Sequence, residues 1–148
     1  ATAYQGFAES TSQKYSMENI DAIDQQAMDE LAKLYNINPE DIVMMDDVNL
    51  EGRGRTINIG WNVRAGKTYM SGGFTEQVGN IVEARVIGDP ADISFQTGLK
   101  DPANIMYYVE GEDIVDFACE IETDGRYYFF VINLSETEDL RIDALIAK

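Results

Sequence analysis

The hydrophobic period of this chain changes once. Through about residue 52 the apolar residues recur at helical spacing, and from residue 53 they recur at every second position. Ile57, Ile59, Trp61 and Val63 alternate with Thr56, Asn58, Gly60 and Asn62, the pattern of a half-buried strand. A chain whose last two-thirds repeats with period two has to pair its strands. Gly, Pro, Asn and Asp clusters break the pattern roughly every ten residues, which favours a sandwich or barrel. No helical segment separates the strands, which argues against a parallel α/β sheet. The expected fold is mostly β: an antiparallel β-sandwich, jelly-roll-like, of about eight strands with an N-terminal α-helix.

The expected strands follow from the turns. Arg64-Ala65-Gly66-Lys67 separates the first from Thr68 to Phe74, and Val78-Gly79-Asn80 precedes Ile81 to Ile87. Gly88 to Asp92 leads to Ile93, Phe95, Thr97 and Leu99, and Lys100 to Asn104 to Ile105–Val109. After Glu110-Gly111-Glu112, the residues Val115, Phe117, Cys119 and Ile121 share one face. Thr123-Asp124-Gly125 carries a hairpin signal. Arg126 to Leu134 is apolar on both faces and reads as a central strand. Leu140, Ile142, Ala144 and Ile146 alternate in the last.

Residues 16–35 read as a helix, with Ser16 as N-cap and Ile20, Ile23, Ala27, Leu31 and Leu34 on one face. Asn36 is the expected left-handed stop. Asn38-Pro39-Glu40-Asp41 is a second helix start, with Asn38 as cap, Pro39 in the first position and Asp41 reaching back. Ile42 to Met45 fits either a short helix or an entering strand. The organisation is therefore a flexible leader over 1–15 and a single domain over 16–148. That domain holds the helix 16–35, a helical or extended connector 38–52 and the sandwich 53–148. The helix is expected to cover a sheet edge or one end of the sandwich.

Charge narrows the functions. Across 148 residues, 27 Asp and Glu oppose 11 Lys and Arg, for a net charge of -16. Such a field repels nucleic acid and anionic membrane surfaces. No stretch approaches the roughly 20 apolar residues that span a bilayer, so direct membrane insertion is not expected. Zero His and one Cys remove zinc motifs and the usual acid–base group near neutral pH. Ala1-Thr2-Ala3-Tyr4 suits the region after an export cleavage site, so an extracellular or cell-surface location is expected, with a cytoplasmic one as the alternative.

Part of the chain resembles a known kind of domain. Trp61-Asn62-Val63-Arg64-Ala65-Gly66-Lys67-Thr68, Ser71-Gly72-Gly73-Phe74, the stretch Asn80 to Val86, Ala91-Asp92-Ile93-Ser94-Phe95 and Asp124 to Asn133 are similar to extracytoplasmic bacterial β-sandwiches of the pre-peptidase C-terminal type. These include the tails on membrane metallopeptidases of the β-lactam-sensor class. The resemblance implies an exported, non-catalytic accessory domain. It leaves the acidic, helix-bearing first third without a role, and no metallopeptidase motif is present.

The candidate ligand-binding residues are aromatic. Tyr107-Tyr108 and Tyr127-Tyr128 are adjacent on strands, so one member of each pair faces the core. The other is either exposed, where it would stack on a sugar or anchor a protein, or covered by the helix; core or cover is the favoured reading. The candidate metal residues are Asp47, Asn49 and Glu51, then Asp89 and Asp92. The first three, followed by Gly52, resemble the first half of a calcium loop. The second half fails, because Asn58 stands where a bidentate Glu belongs and Arg53 and Arg55 add positive charge. A solvated acidic turn is the favoured reading; no cofactor is expected, with calcium as the alternative. Cys119 faces inward and lacks a base, so no catalytic residue is assigned and an enzyme is not expected. The expected function is recognition of a protein or a cell-envelope glycan. The alternative is a structural or interaction domain that regulates a larger membrane partner.

Overall fold

The structure, a computed structural model, describes residues 14–47, 56–101 and 105–148, without the side chains of 14–21, 46–47 and 105–108. Helix α1 spans Lys14–Tyr35 and a 3-10 turn spans Pro39–Asp41. Ten strands complete the described residues. The first five are β1 (Ile42–Asp47), β2 (Thr56–Val63), β3 (Thr68–Gly72), β4 (Phe74–Glu76) and β5 (Ile81–Asp89). The others are β6 (Ser94–Lys100), β7 (Ile105–Glu112), β8 (Ile114–Glu120), β9 (Gly125–Asn133) and β10 (Leu140–Ala147). One sheet has the order β1-β3-β9-β6-β7, with β4 also on β9; the other has the order β2-β10-β5-β8. All pairings are antiparallel except β1 with β3, which is parallel.

The expected sandwich is present, with two strands more than the period alone defined. Phe74–Glu76 separates from β3 and pairs with β9. Ile42 to Asp47, open between helix and strand in the sequence, is β1. Asn38 caps the preceding turn, its Oδ1 accepting from the Glu40 N–H at 3.0 Å. Asp41 does not close that cap. Its carboxylate accepts from Lys67 Nζ at 2.8 Å, and Ile42 is already extended at φ -97° and ψ 127°.

The helix covers a face of the first sheet, not an edge or an end. Ala27, Leu31 and Ala32 pack with Ile42, Met70, Tyr128, Phe130 and Ile132. Strand β9 is consequently buried on both sides. Tyr127, Phe129 and Val131 point into the sandwich, where they meet Trp61, Phe95, Val86 and Ile142. Each large apolar side chain so buried contributes about 2 kcal/mol. The buried stripe of α1 is rotated from the expected one. Small Ala27 and Ala32 let the helix approach, and the contact includes Met28 and Tyr35, while Ile23 and Leu34 lie at its rim, about half exposed. Asn36 is left-handed, φ 55°, and the Ile37 N–H closes the helix on Ala32 O at 2.8 Å.

Consecutive strands mostly lie in opposite sheets; only β3 with β4 and β6 with β7 share one. This corrects the expected hairpin at Thr123-Asp124-Gly125. The segment carries the chain from β8 in one sheet to β9 in the other. Asp124 serves this corner by accepting from the Val78 N–H at 2.8 Å, and the Tyr127 hydroxyl donates to Thr123 O at 2.6 Å. The corner between β7 and β8 turns on Asp113, φ 68°, whose carbonyl accepts from the Gly88 N–H at 2.7 Å.

Candidate binding face

The two outer faces of the sandwich differ. That of the β1-β3-β9-β6-β7 sheet is closed by α1 and fixed to it by polar contacts. Asp24 accepts from the Tyr128 hydroxyl at 2.5 Å and from Arg126 Nε at 3.1 Å. Burial, then the Asp24 carboxylate, raises the Tyr128 hydroxyl far above the ordinary tyrosine value, so it stays a donor. Lys100, whose side chain is 1% exposed, donates to Glu30 Oε1 at 2.7 Å and to Asp101 O at 3.0 Å.

The outer face of the β2-β10-β5-β8 sheet is open, because no described element packs on it. Its residues fall into cross-strand rows. In one, Leu145 sits between Asn58 and Arg85, and Arg85 lies opposite Asp116. In the next, Ile87 sits between Asp143 and Ile114. Leu145, Ile87 and Ile114 thus form a diagonal apolar strip, 44%, 40% and 51% exposed. Arg85 binds Asp116 through two bonds, of 2.7 and 3.0 Å. That bidentate contact holds the Asp116 carboxyl below its ordinary range. Arg141 Nη2 lies 3.3 Å from Asp143 Oδ1. Its guanidinium rests over Gly60, where a Cβ would come within 2.5 Å of Nη2, so glycine is what seats it.

Two shallow grooves share Arg85 and Leu145. One, of about 600 Å³, runs over Ala118 and Ala147 beside the Arg85–Asp116 pair. The other, of about 410 Å³, is bounded by Asn58, Gly60, Arg141 and Ile87. Neither is a secluded pocket. The buried carboxylate, Glu76, lies elsewhere: Oε1 accepts from Asn80 Nδ2 at 2.9 Å, and Lys148 Nζ is 3.1 Å from Oε2. Burial pushes the Cys119 thiol up to about 11, which keeps it protonated near neutral pH.

The sequence-derived site residues are not brought together here. Tyr127 and Tyr128 are buried, one in the sandwich core and one under α1, so as placed neither ring faces a ligand. The side chains of Tyr107, Tyr108 and Asp47, and all of Asn49, Glu51, Arg53 and Arg55, lie outside the described residues. Asp89 and Asp92 are exposed on either side of Pro90 and Ala91. Among the described residues no three acidic or thiol side chains converge to hold a metal ion. Sequence reasoning missed the apolar strip, although a signal existed. Ile81 and Ile87 flank the core residues Val82, Ala84 and Val86 out of phase, as Leu145 does Ala144 and Ile146. A second apolar set on the solvent side of a strand is what gives this face its exposed apolar surface.

Fold and face together define a helix-capped, mostly antiparallel β-sandwich with one sheet face that no described element covers. No protein-family model matches the chain, and no curated protein is similar to it in sequence. Among solved structures it is similar to PliG of Aeromonas hydrophila, a periplasmic lysozyme inhibitor of g-type lysozyme. The TM-score is 0.53 at 10% identity, over 72% of this chain and 96% of that one. It is also similar to the pre-peptidase C-terminal domain of the Bacillus anthracis collagenase, with TM-score 0.46 and 16% identity over 73% and 97% of the two chains. A third similar chain is the C-terminal carbohydrate-binding module of a Zobellia galactanivorans laminarinase, with TM-score 0.40 and 16% identity over 62% and 79%.

Proposed function

We propose that this chain is a non-catalytic, exported binding domain whose open sheet face engages a protein. One observation carries the reading: of the two outer sheet faces, one is closed by α1 and the other presents the strip Leu145, Ile87 and Ile114. The two arginine–carboxylate pairs on that face arrive already ordered, which lowers the entropy lost on docking. The sandwich that shares this fold in Aeromonas is described as an inhibitor of another protein and as periplasmic, which supports both the kind of role and the location. Regulation of a larger membrane partner is one form this role would take. A glycan target is the second reading, supported by the Asn58, Asn62 and Arg141 amide and guanidinium groups around Gly60.

The test is retention from a cell-envelope extract, run beside a glycan array, with the wild-type chain and an Ile87→Lys/Leu145→Lys variant. The expected result is a protein retained by the wild type and lost by the variant, with no glycan signal. A glycan signal, or retention that the variant leaves unchanged, overturns the reading.

A further inference from the structure

The charges around the open face specify more than a site. Arg85 and Arg141 are each engaged with an aspartate of the same face. Glu83, Glu120 and Asp89 also project from it, are exposed, and form no ion pair with a described residue. Among the described residues the face therefore presents an apolar strip, two cations each engaged with an aspartate, and three further acids that form no ion pair, on a chain of net charge -16.

Resting on the reading of this face as a docking surface, we infer that its partner is a cationic protein surface: an apolar ridge flanked by Lys or Arg. The chemistry follows from desolvation. An acidic partner would bring carboxylates against Glu83, Glu120 and Asp89, while the described cations of the face, Arg85 and Arg141 (the latter opposite Asp89), are already engaged with Asp116 and Asp143, and like charges across an interface cost affinity. A neutral apolar partner would bury the strip but leave those acids without a counter-charge at the rim. A cationic one meets the acids while the strip fills. The remaining negative charge of the chain then accelerates the encounter. The groove over Ala118 and Ala147 has a small-residue floor, which admits the long aliphatic stem of a Lys or Arg beside the strip.

The probes are two short strand peptides, one alternating Leu with Lys and the other Leu with Glu. They are titrated into the full chain with methyl resonances of Ile and Leu observed. The expected result is that only the Lys peptide moves the Ile87, Ile114 and Leu145 methyls. Its affinity should fall about tenfold or more between about 0.05 and 0.3 M salt. A Glu83→Gln/Glu120→Gln variant should weaken it severalfold, whereas Glu122→Gln/Glu136→Gln, equal in charge but off the face, should stay within about twofold. If the Glu peptide moves the same methyls as strongly, the cationic partner is wrong and the docking face stands. If the Lys peptide perturbs acidic surface elsewhere but not these methyls, or neither peptide reaches them, the docking face itself fails.

Discussion

Lys100 on β6 and Glu30 on α1 lie 2.7 Å apart across the outer face of a sheet, with the ammonium end sealed to 1% exposure and the carboxylate reaching partly to solvent. The pair ties together residues seventy positions apart. Its value is asymmetric. A buried cation that loses its anion keeps, among the described residues, the Asp101 carbonyl, whereas replacing the cation with an apolar side chain removes the need for the pair. Glu30→Gln is therefore expected to destabilise the fold by about 2 kcal/mol and Lys100→Met by much less. Urea unfolding followed by tryptophan emission measures both. Equal losses would show that the pair itself, not the stranded ammonium, carries the energy.

The same pair sets a pH response. Hydrogen bonding to Lys100 holds the Glu30 carboxyl below its ordinary value of 4.5, outweighing the opposing effect of burial. A carboxyl lowered on folding adds stability that is complete above the unfolded value and disappears as the pH falls through the folded one. Acidification below about 4.5 should thus loosen α1 before the sandwich. Amide exchange in residues 24–35 should accelerate ahead of exchange in β9 and β10. Simultaneous acceleration in all three would refute the order.

Phe129 and Phe130 are adjacent, fully buried and assigned to different layers. Truncating either to Ala should cost about 3–4 kcal/mol. The consequences should differ. Phe129 lies 5.6 Å from Trp61, ring centre to ring centre, so Phe129→Ala should shift tryptophan emission. Phe130 lies 5.7 Å from Tyr35, so Phe130→Ala should leave that emission unchanged and speed amide exchange in α1.

Cys119 offers a check on the inner packing. With burial raising its thiol from 9.0 to about 11, the thiolate fraction near neutral pH falls about a hundredfold. Alkylation by iodoacetamide should be slower in the folded chain by at least that factor than in urea. Comparable rates would place the thiol in water.

How much of this was legible in the sequence depends on what each signal encodes. Alternation fixed which residues of β2, β6 and β10 face inward, because a period of two is a property of the strand itself. It also marked Arg126 to Leu134 as buried on both sides, and α1 supplies the second cover. Partner choice was not legible. Asp124-Gly125 has the chemistry of a tight turn whether the next strand pairs with the last or crosses to the opposite sheet. The short strand Phe74–Glu76 and the parallel edge strand Ile42–Asp47 exist through their pairing with β9 and β3, a tertiary fact. The exposed apolar strip was missed because its out-of-phase isoleucines were counted as core, which only the strand register corrects.

Strand β10 follows every other described strand along the chain, yet it lies between β2 and β5 and is hydrogen-bonded to both. That layer has a gap at its centre until β10 takes its place. Without Leu140–Ala147, β2 and β5 lack the strand that both pair with, so closure of that layer waits on β10.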